Sequence, residues 1–467
     1  MANNGLPVDR LRDYLRELKP EARALLMAEL ERGRLRGEEL PAIGLILQEL
    51  REAAPHGRAL LPRIGDPQRL FFAPLEPFLI NDRSGRKHPG RIARMSLEPI
   101  WRWLSTDVMP AKTSAYEEET KWHILAGDTG KAEAQARALQ DQAIAHVEAA
   151  LAAFHGDVKG RRRLAGRIGT PNALEELNDV LALFKARDAL GAIGARLAPH
   201  IGNLADEQLE NVHALLDSEA IRSHDLGLYA LLMVMSRLGA RWHLIRLAVR
   251  NSETDVASRI AQTPAALAIT LVLDDVELRA TQLREALDER DLDSVVALVK
   301  QIHDAARGLR TELDLSGDQP WGRRLAAVRA DVSAMLEEQI VTVPGRVHRL
   351  LRPRARGEGG GLDDRDIAEV EALIDLVNAC RTYAAELAIN EVTLRVQSQL
   401  QHYLDTGMPA LLDGLRQAGP GEGAFRQAQV DAAVRFAAKI FGADYAAVLV
   451  KAADVAAHGA DPKAAKA

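Results

Sequence analysis

Residues 362–405 read LDDRDIAEVEALIDLVNACRTYAAELAINEVTLRVQSQLQHYLD, 44 positions without a glycine or a proline. Within them Leu373, Val377, Cys380, Ala384 and Leu387 recur at spacings of four, three, four and three, the rhythm of one helix face. With no breaker inside, the stretch predicts a single helix of about 66 Å at ~1.5 Å per residue. Glu391 interrupts the stripe before Leu394, which favours a helix in an antiparallel bundle over one strand of a dimeric coiled coil.

The same rhythm extends outward. Upstream, Arg352–Gly361 (Arg-Pro-Arg-Ala-Arg-Gly-Glu-Gly-Gly-Gly) reads as a flexible linker. Before it come the stripes Leu325, Val328, Val332, Met335 and Val295, Val299, Ile302, Ala306, Leu309, Leu313, which must be buried against other helices. Thr170 as N-cap with Pro171 at the first helical position opens a helix carrying Leu174, Leu177, Leu181 and Phe184. An Ala-rich helix is expected over about 131–153, and three short helices over 6–54. Downstream, Gly419–Gly423 precedes a final helical pair ending near Ala457. No period typical of helical solenoids is evident. Val341–Val343 is the best candidate for a short strand.

Composition agrees with this pattern. Of 467 residues, 77 are Ala and 66 are Leu, while aromatics make up 4%. The expected fold is all-α, an irregular multi-helix bundle or array with a Pro- and aromatic-rich irregular segment near residues 62–125. That segment is the strongest local departure: seven of the 20 prolines lie between Pro62 and Pro110, and Phe71, Phe72, Phe78, Trp101, Trp103, Tyr116 and Trp122 fall in or near it. Because proline disfavours the α conformation in the residue before it, Phe71–Ile80 is expected to be irregular and extended, with a helix restarting near Ile92. The expected domains are 1–125 (helical cap plus this segment), 126–316 (central bundle), 317–457 (C-terminal bundle with the long helix 362–405) and 458–467 (disordered tail).

The totals exclude several classes. One cysteine, Cys380, rules out an intrachain disulfide and any Cys-rich zinc site. The longest strongly apolar run, Leu226–Met235, is about half of what a spanning helix requires. The opening residues Met-Ala-Asn-Asn-Gly lack the charged and apolar parts of a secretory signal, so the expected location is cytoplasmic. Net charge is -6, which is no global signature of a nucleic-acid binder. The 48 Arg against 12 Lys match the codon habit of a GC-rich genome, which weakens any argument from Arg alone.

No HExxH, GxSxG or CxxC motif occurs. Gly127-Asp-Thr-Gly-Lys131 has the last two residues of a phosphate loop but lacks its first glycine, its hydroxyl and a preceding strand, so it reads as a helix start. One Glu-x-x-His pair, Glu210 and His213, falls short of the two that a di-iron bundle needs. Glu119 and His123, four apart beside Trp122, read as a helix-face ion pair. Cys380 sits on an apolar stripe as a buried thiol. His155-Gly-Asp157 and His224-Asp225 read as loop residues. No metal and no cofactor is expected.

Three basic stretches stand out: Arg83, Arg86, Lys87, His88, Arg91 and Arg94; Lys159, Arg161, Arg162, Arg163 and Arg167; and Arg346, Arg349, Arg352, Arg354 and Arg356. Each reads first as a solvated loop, with phosphate contact as the alternative. The aromatic segment reads as a second small core or, alternatively, as a recognition groove. In the groove reading Phe72, Trp101, Trp103, Trp122 and His123 offer ring surface while Arg83, Arg86, Lys87 and Arg91 take an anionic group. Trp101 and Trp103 are two positions apart, so a helix brings only one of them into a core with ease.

The favoured expectation is a non-enzymatic cytoplasmic scaffold or adaptor acting through a protein partner, with homo-oligomerisation open. The alternatives are a helical enzyme or small-anion-binding protein with a pocket around residues 69–123, and peripheral binding to nucleic acid or anionic lipid through the basic stretches, chiefly Arg161, Arg162, Arg163, Arg349, Arg352 and Arg354.

Overall fold

The computed structural model describes residues 66–153, 157–169, 171–202, 204–222, 225–315, 317–352, 362–419 and 422–458, with positions 26, 29, 30 and 46. The short helices expected over 6–54, the linker and the tail fall outside the described residues apart from isolated positions, as do Thr170, His155, His224, Arg354 and Arg356. Among the described residues the fold is an all-α multi-helix array. Two compact units form, neither of them continuous in sequence: unit 1 holds residues up to 198 and 214–236, and unit 2 holds 199–213 and everything from 237.

From residue 66 onward unit 1 runs into α1 (Pro67–Phe71), a single turn of helix that its surroundings hold in place. Asp66 caps it by accepting from the Gln68 and Arg69 amides, and Pro67 fills the position where no amide is needed. At its far end Gln140 Nε2 donates to the Phe71 carbonyl at 2.7 Å, and Tyr116 OH donates to the Pro67 carbonyl at 2.7 Å. The segment expected to be extended is instead a 3-10 helix, Ala73–Phe78, followed by a two-residue strand β1 (Leu79–Ile80). The φ that proline fixes also suits a 3-10 turn, and Pro77 sits inside this one. β1 pairs in parallel with β2 (Ile92–Ala93), so Ile92 begins a strand, and helix resumes just after it with a 3-10 turn, Arg94–Ser96, that runs into α2 (Leu97–Trp103).

A π turn, Leu104–Val108, leads to α3 (Pro110–Leu125), α4 (Thr129–Ala152), α5 (Val158–Ile168) and α6 (Pro171–Arg196). Asp128 caps α4 by accepting from the Lys131 amide, so the Gly127–Lys131 sequence is a helix start. Ala132, Ala136, Leu139, Ala143 and Val147 form the buried stripe of α4, whose small side chains allow close approach. Arg137 with Asp188, Arg187 with Asp141 and Lys185 with Glu148 link α4 to α6 along its flank. The unit's later residues include α8 (Glu219–Arg222) and most of α9 (Gly227–Arg237); α7 (Asp206–Leu216) lies between α6 and α8 in sequence.

In unit 2 a 3-10 turn, Arg241–Leu244, precedes α10 (Ile245–Ser252) and the short α11 (Ala257–Ile260). There follow α12 (Ala266–Glu289), α13 (Leu292–Glu312), α14 (Pro320–Ile340), α15 (Val343–Leu351), α16 (Asp364–Leu387), α17 (Asn390–Arg416), α18 (Gly423–Phe441) and α19 (Ala443–His458). α13 packs against both α12 and α16, which buries Val295, Val299, Ile302, Ala306 and Leu309 completely. The strand candidate Val341–Val343 is helical turn, with Val343 opening α15.

The single helix expected over 362–405 is divided. α16 ends at Leu387, Ala388 adopts φ 58° and closes the helix with its amide on the Ala384 carbonyl, and α17 starts at Asn390. A left-handed alanine costs about 1–2 kcal/mol. Burial on either side outweighs that cost: Leu387 and Ile389 are both fully interior, and α16 and α17 pack on each other. Leu394, on the stripe drawn from sequence, is exposed.

Candidate functional site

The residues picked out in the aromatic segment fall into three environments. Phe71, Phe72, Trp101, Tyr116 and Phe184 form one ring cluster, with Phe71 4.9 Å from Phe72 and 5.2 Å from both Trp101 and Phe184. Phe72, Trp101 and Trp103 are all buried. Both tryptophans are interior because α2 packs against α5 and α6, so more than one of its faces is covered. These rings close on one another and present no open face.

The cations of the first basic stretch lie in the second environment. Lys87 Nζ donates to the Arg91 carbonyl at 2.6 Å, to the His88 carbonyl at 2.9 Å and to Asp179 of α6, using all three protons. Tyr229 of α9 donates to the other Asp179 oxygen at 2.8 Å, so one carboxylate ties the 81–91 loop, α6 and α9 together. Burial and the Asp179 charge both push the Tyr229 hydroxyl above its ordinary pKa. His88 and Asp82 form a buried pair at 3.2 Å, and Arg91 is buried with Nη2 3.2 Å from Met235 Sδ. Arg94 makes a two-pronged pair with Glu76. Arg83 and Arg86 are exposed.

Beside this network lies Glu176 of α6, buried and bonded at Oε1 to the Ala93 amide at 3.0 Å, while Oε2 has no hydrogen-bond partner among the described residues. Burial raises its pKa, Asp179 adds to the rise, and Ser96, the Ala93 amide and Lys87 offset only part of it. Sequence reading passed over Glu176, Asp179, Asp82 and Tyr229. A signal existed for Glu176, which falls in a buried row with Ala173, Val180 and Leu183.

Trp122 and His123 make up the third environment, the end of α3. Trp122 is 64% exposed and Leu125, one turn on, is 44% exposed. The His123 ring lies edge-on to the Trp122 ring at 5.1 Å, and its Nδ1 is buried without a partner among the described residues. Glu119 and His123 form no ion pair with each other among the described residues.

Of the other basic stretches, Arg161, Arg162 and Arg163 are exposed on α5 in unit 1. Arg349 and Arg352 are exposed on and just after α15 in unit 2, where Arg346 pairs with Glu369. Arg354 lies outside the described residues.

Unit 2 holds its own buried charges. Asp275 of α12 accepts from Arg241 at 2.7 Å and Arg279 at 2.8 Å, and Arg324 of α14 bridges Asp274 and Glu277. Nearby His243 is held below its ordinary pKa by burial and by Arg246, with the Gly202 carbonyl and Glu312 opposing. Cys380 is fully interior, and burial pushes its thiol up to about 12. Glu210 pairs with Arg250. No group of three or more His, Cys, Asp or Glu side chains suited to a metal occurs among the described residues, and no described helix is long and apolar enough to cross a membrane.

No protein-family model, curated protein or solved structure matches this chain.

Proposed function

We propose that this chain is a non-enzymatic cytoplasmic adaptor that works by binding another protein, with Trp122 and Leu125 at the end of α3 as its anchor. The observation that carries the reading is the exposure of Trp122 in a segment whose other large rings are buried. Tryptophan is among the residue types that dominate interface energetics, because the indole removes a large apolar area from water with few rotatable bonds. The first basic stretch favours the same conclusion, since Lys87 and Arg94 are committed to carboxylates within unit 1 and a small anion would have to break those pairs.

The test is affinity purification of the full chain from its own cells beside the Trp122→Ala, Leu125→Ala double variant. One protein should co-purify with the native chain in stoichiometric amount and be lost from the double variant, whose circular dichroism stays unchanged. A partner retained by the double variant, or turnover of a small molecule by the purified chain alone, would sink the reading.

A further inference from the structure

α5 turns Gly160, Leu164, Ala165 and Ile168 inward and leaves Lys159, Arg161, Arg162, Arg163 and Arg167 exposed. Two of these cations have partners at the edge of the face: Arg163 reaches Asp157 at 3.8 Å and Arg167 reaches Asp107 at 3.0 Å. Lys159, Arg161 and Arg162 pair with no carboxylate among the described residues. Like charges therefore stand three and four apart, at 159 with 162, 159 with 163 and 163 with 167, an arrangement that opposes the helix. Lys159 and Arg161 also lie in its first turn, where the positive end of the helix dipole repels cations. No acidic residue occupies that first turn. In a chain of net charge -6 this face concentrates five cations of which three have no carboxylate partner among the described residues, and a multivalent anion relieves the repulsion.

The rest of the surroundings narrow the kind of anion. Leu164, Ala165 and Ile168 of α5 are already built into the unit 1 core and Val158 alone of its large apolar residues is exposed, too little to lay into a lipid interface. The exposed side carries no aromatic ring, so unstacked bases find no platform there. From Lys159 to Arg167 the helix rises about 12 Å, at ~1.5 Å per residue. That matches three or four consecutive phosphates of one duplex strand, spaced ~3.4 Å apart along the axis. Four of the five cations are arginines, whose planar fork suits phosphate oxygens.

We propose that the exposed face of α5 binds the phosphate backbone of double-stranded nucleic acid without reading its sequence, an activity separate from the protein contact at Trp122. The test is fluorescence anisotropy of a labelled random DNA duplex of about 20 base pairs with the full chain. With three unpaired cations releasing counterions, raising salt from about 50 to about 200 mM should weaken binding about 40-fold. The Lys159→Ala, Arg161→Ala, Arg162→Ala variant should bind at least about tenfold more weakly at low salt and lose most of the salt dependence. Its melting temperature should not fall, since it removes repulsion. Arg349→Ala with Arg352→Ala, and Trp122→Ala with Leu125→Ala, should bind duplex as the native chain does. The proposal is overturned if the native chain does not bind duplex at low salt, if the triple variant binds equally well, or if the α15 variant loses binding instead. Flotation with phosphatidylserine vesicles without any duplex binding would overturn it too, in favour of lipid.

Discussion

Residues 66–125 of unit 1 and the α12, α13 and α16 group of unit 2 bury apolar surface by different means. Ahead of α3 the first region has a five-residue helix, 3-10 turns, two-residue strands and the seven-residue α2, none long enough to carry a stripe. Its interior comes from rings, each burying roughly 150–250 Å², and two of its buried carbonyls accept long-range side-chain bonds from Gln140 and Tyr116. The second region uses helices of 21 to 24 residues whose Val, Ile, Ala and Leu repeat in register. Loss of one member should therefore be felt unequally: a ring cluster depends on few large side chains, whereas a stripe shares the burial among many small ones.

Trp101→Ala tests that inequality most severely. It removes an indole in contact with Phe71, Phe72 and Tyr116, and should cost about 3–5 kcal/mol, read by urea denaturation. Ile302→Val, in the middle of the fully buried α13 stripe, should cost about 0.5–1.5 kcal/mol. Similar losses at the two sites would mean that the ring cluster relaxes around its cavity, and the contrast would fail.

The helical group has one tight point where it resembles the ring cluster. Gly308 of α13 lies under Trp242, and a Cβ there would stand 2.3 Å from a carbon of the indole. The guanidinium of Arg246 lies over the same ring at 5.7 Å. Gly308→Ala should therefore destabilise unit 2 by about 1–3 kcal/mol although alanine is the better helix former. A gain in stability would show that Trp242 swings aside freely.

Glu176 sharpens the comparison from the polar side, because its carboxyl is buried without a salt bridge among the described residues whereas Asp275 of α12 receives two arginines. The folded chain holds the Glu176 proton to a higher pH than the unfolded chain does. Between those two values the folded state binds more protons, so stability falls as pH rises through the window. Glu176→Gln copies the neutral form. It should match the native chain below the ordinary glutamate range and be the more stable of the two near neutral pH. A stability difference independent of pH would remove burial of the charge as the cause.

The two regions were also unequally legible. The stripes of α13 and α16 could be read directly, because burial along a long helix imposes its period on the sequence. The break at Ala388 could not, since it carries neither glycine nor proline and follows from what Leu387 and Ile389 bury against. In the aromatic segment the clustering of rings and prolines located a special region but not its form. Whether Trp101 faces solvent depends on α5 and α6 covering α2, a tertiary fact. The cations at Lys87 and Arg91 looked free in sequence because Asp179 and Met235 are distant along the chain.

Trp122→Ala is the smallest expected change in stability and separates core from surface within one segment. Trp101 and Trp122 are the same residue type 21 positions apart, yet one is 6% and the other 64% exposed. Truncating the exposed indole forfeits little burial beyond the edge contact with His123, so unfolding should shift by no more than about 0.5 kcal/mol. The same substitution should weaken the partner complex by about 2 kcal/mol or more, as an anchor tryptophan does. If Trp122→Ala instead destabilised the chain as strongly as Trp101→Ala, the indole would belong to the fold, and the end of α3 would lose its claim as a docking point.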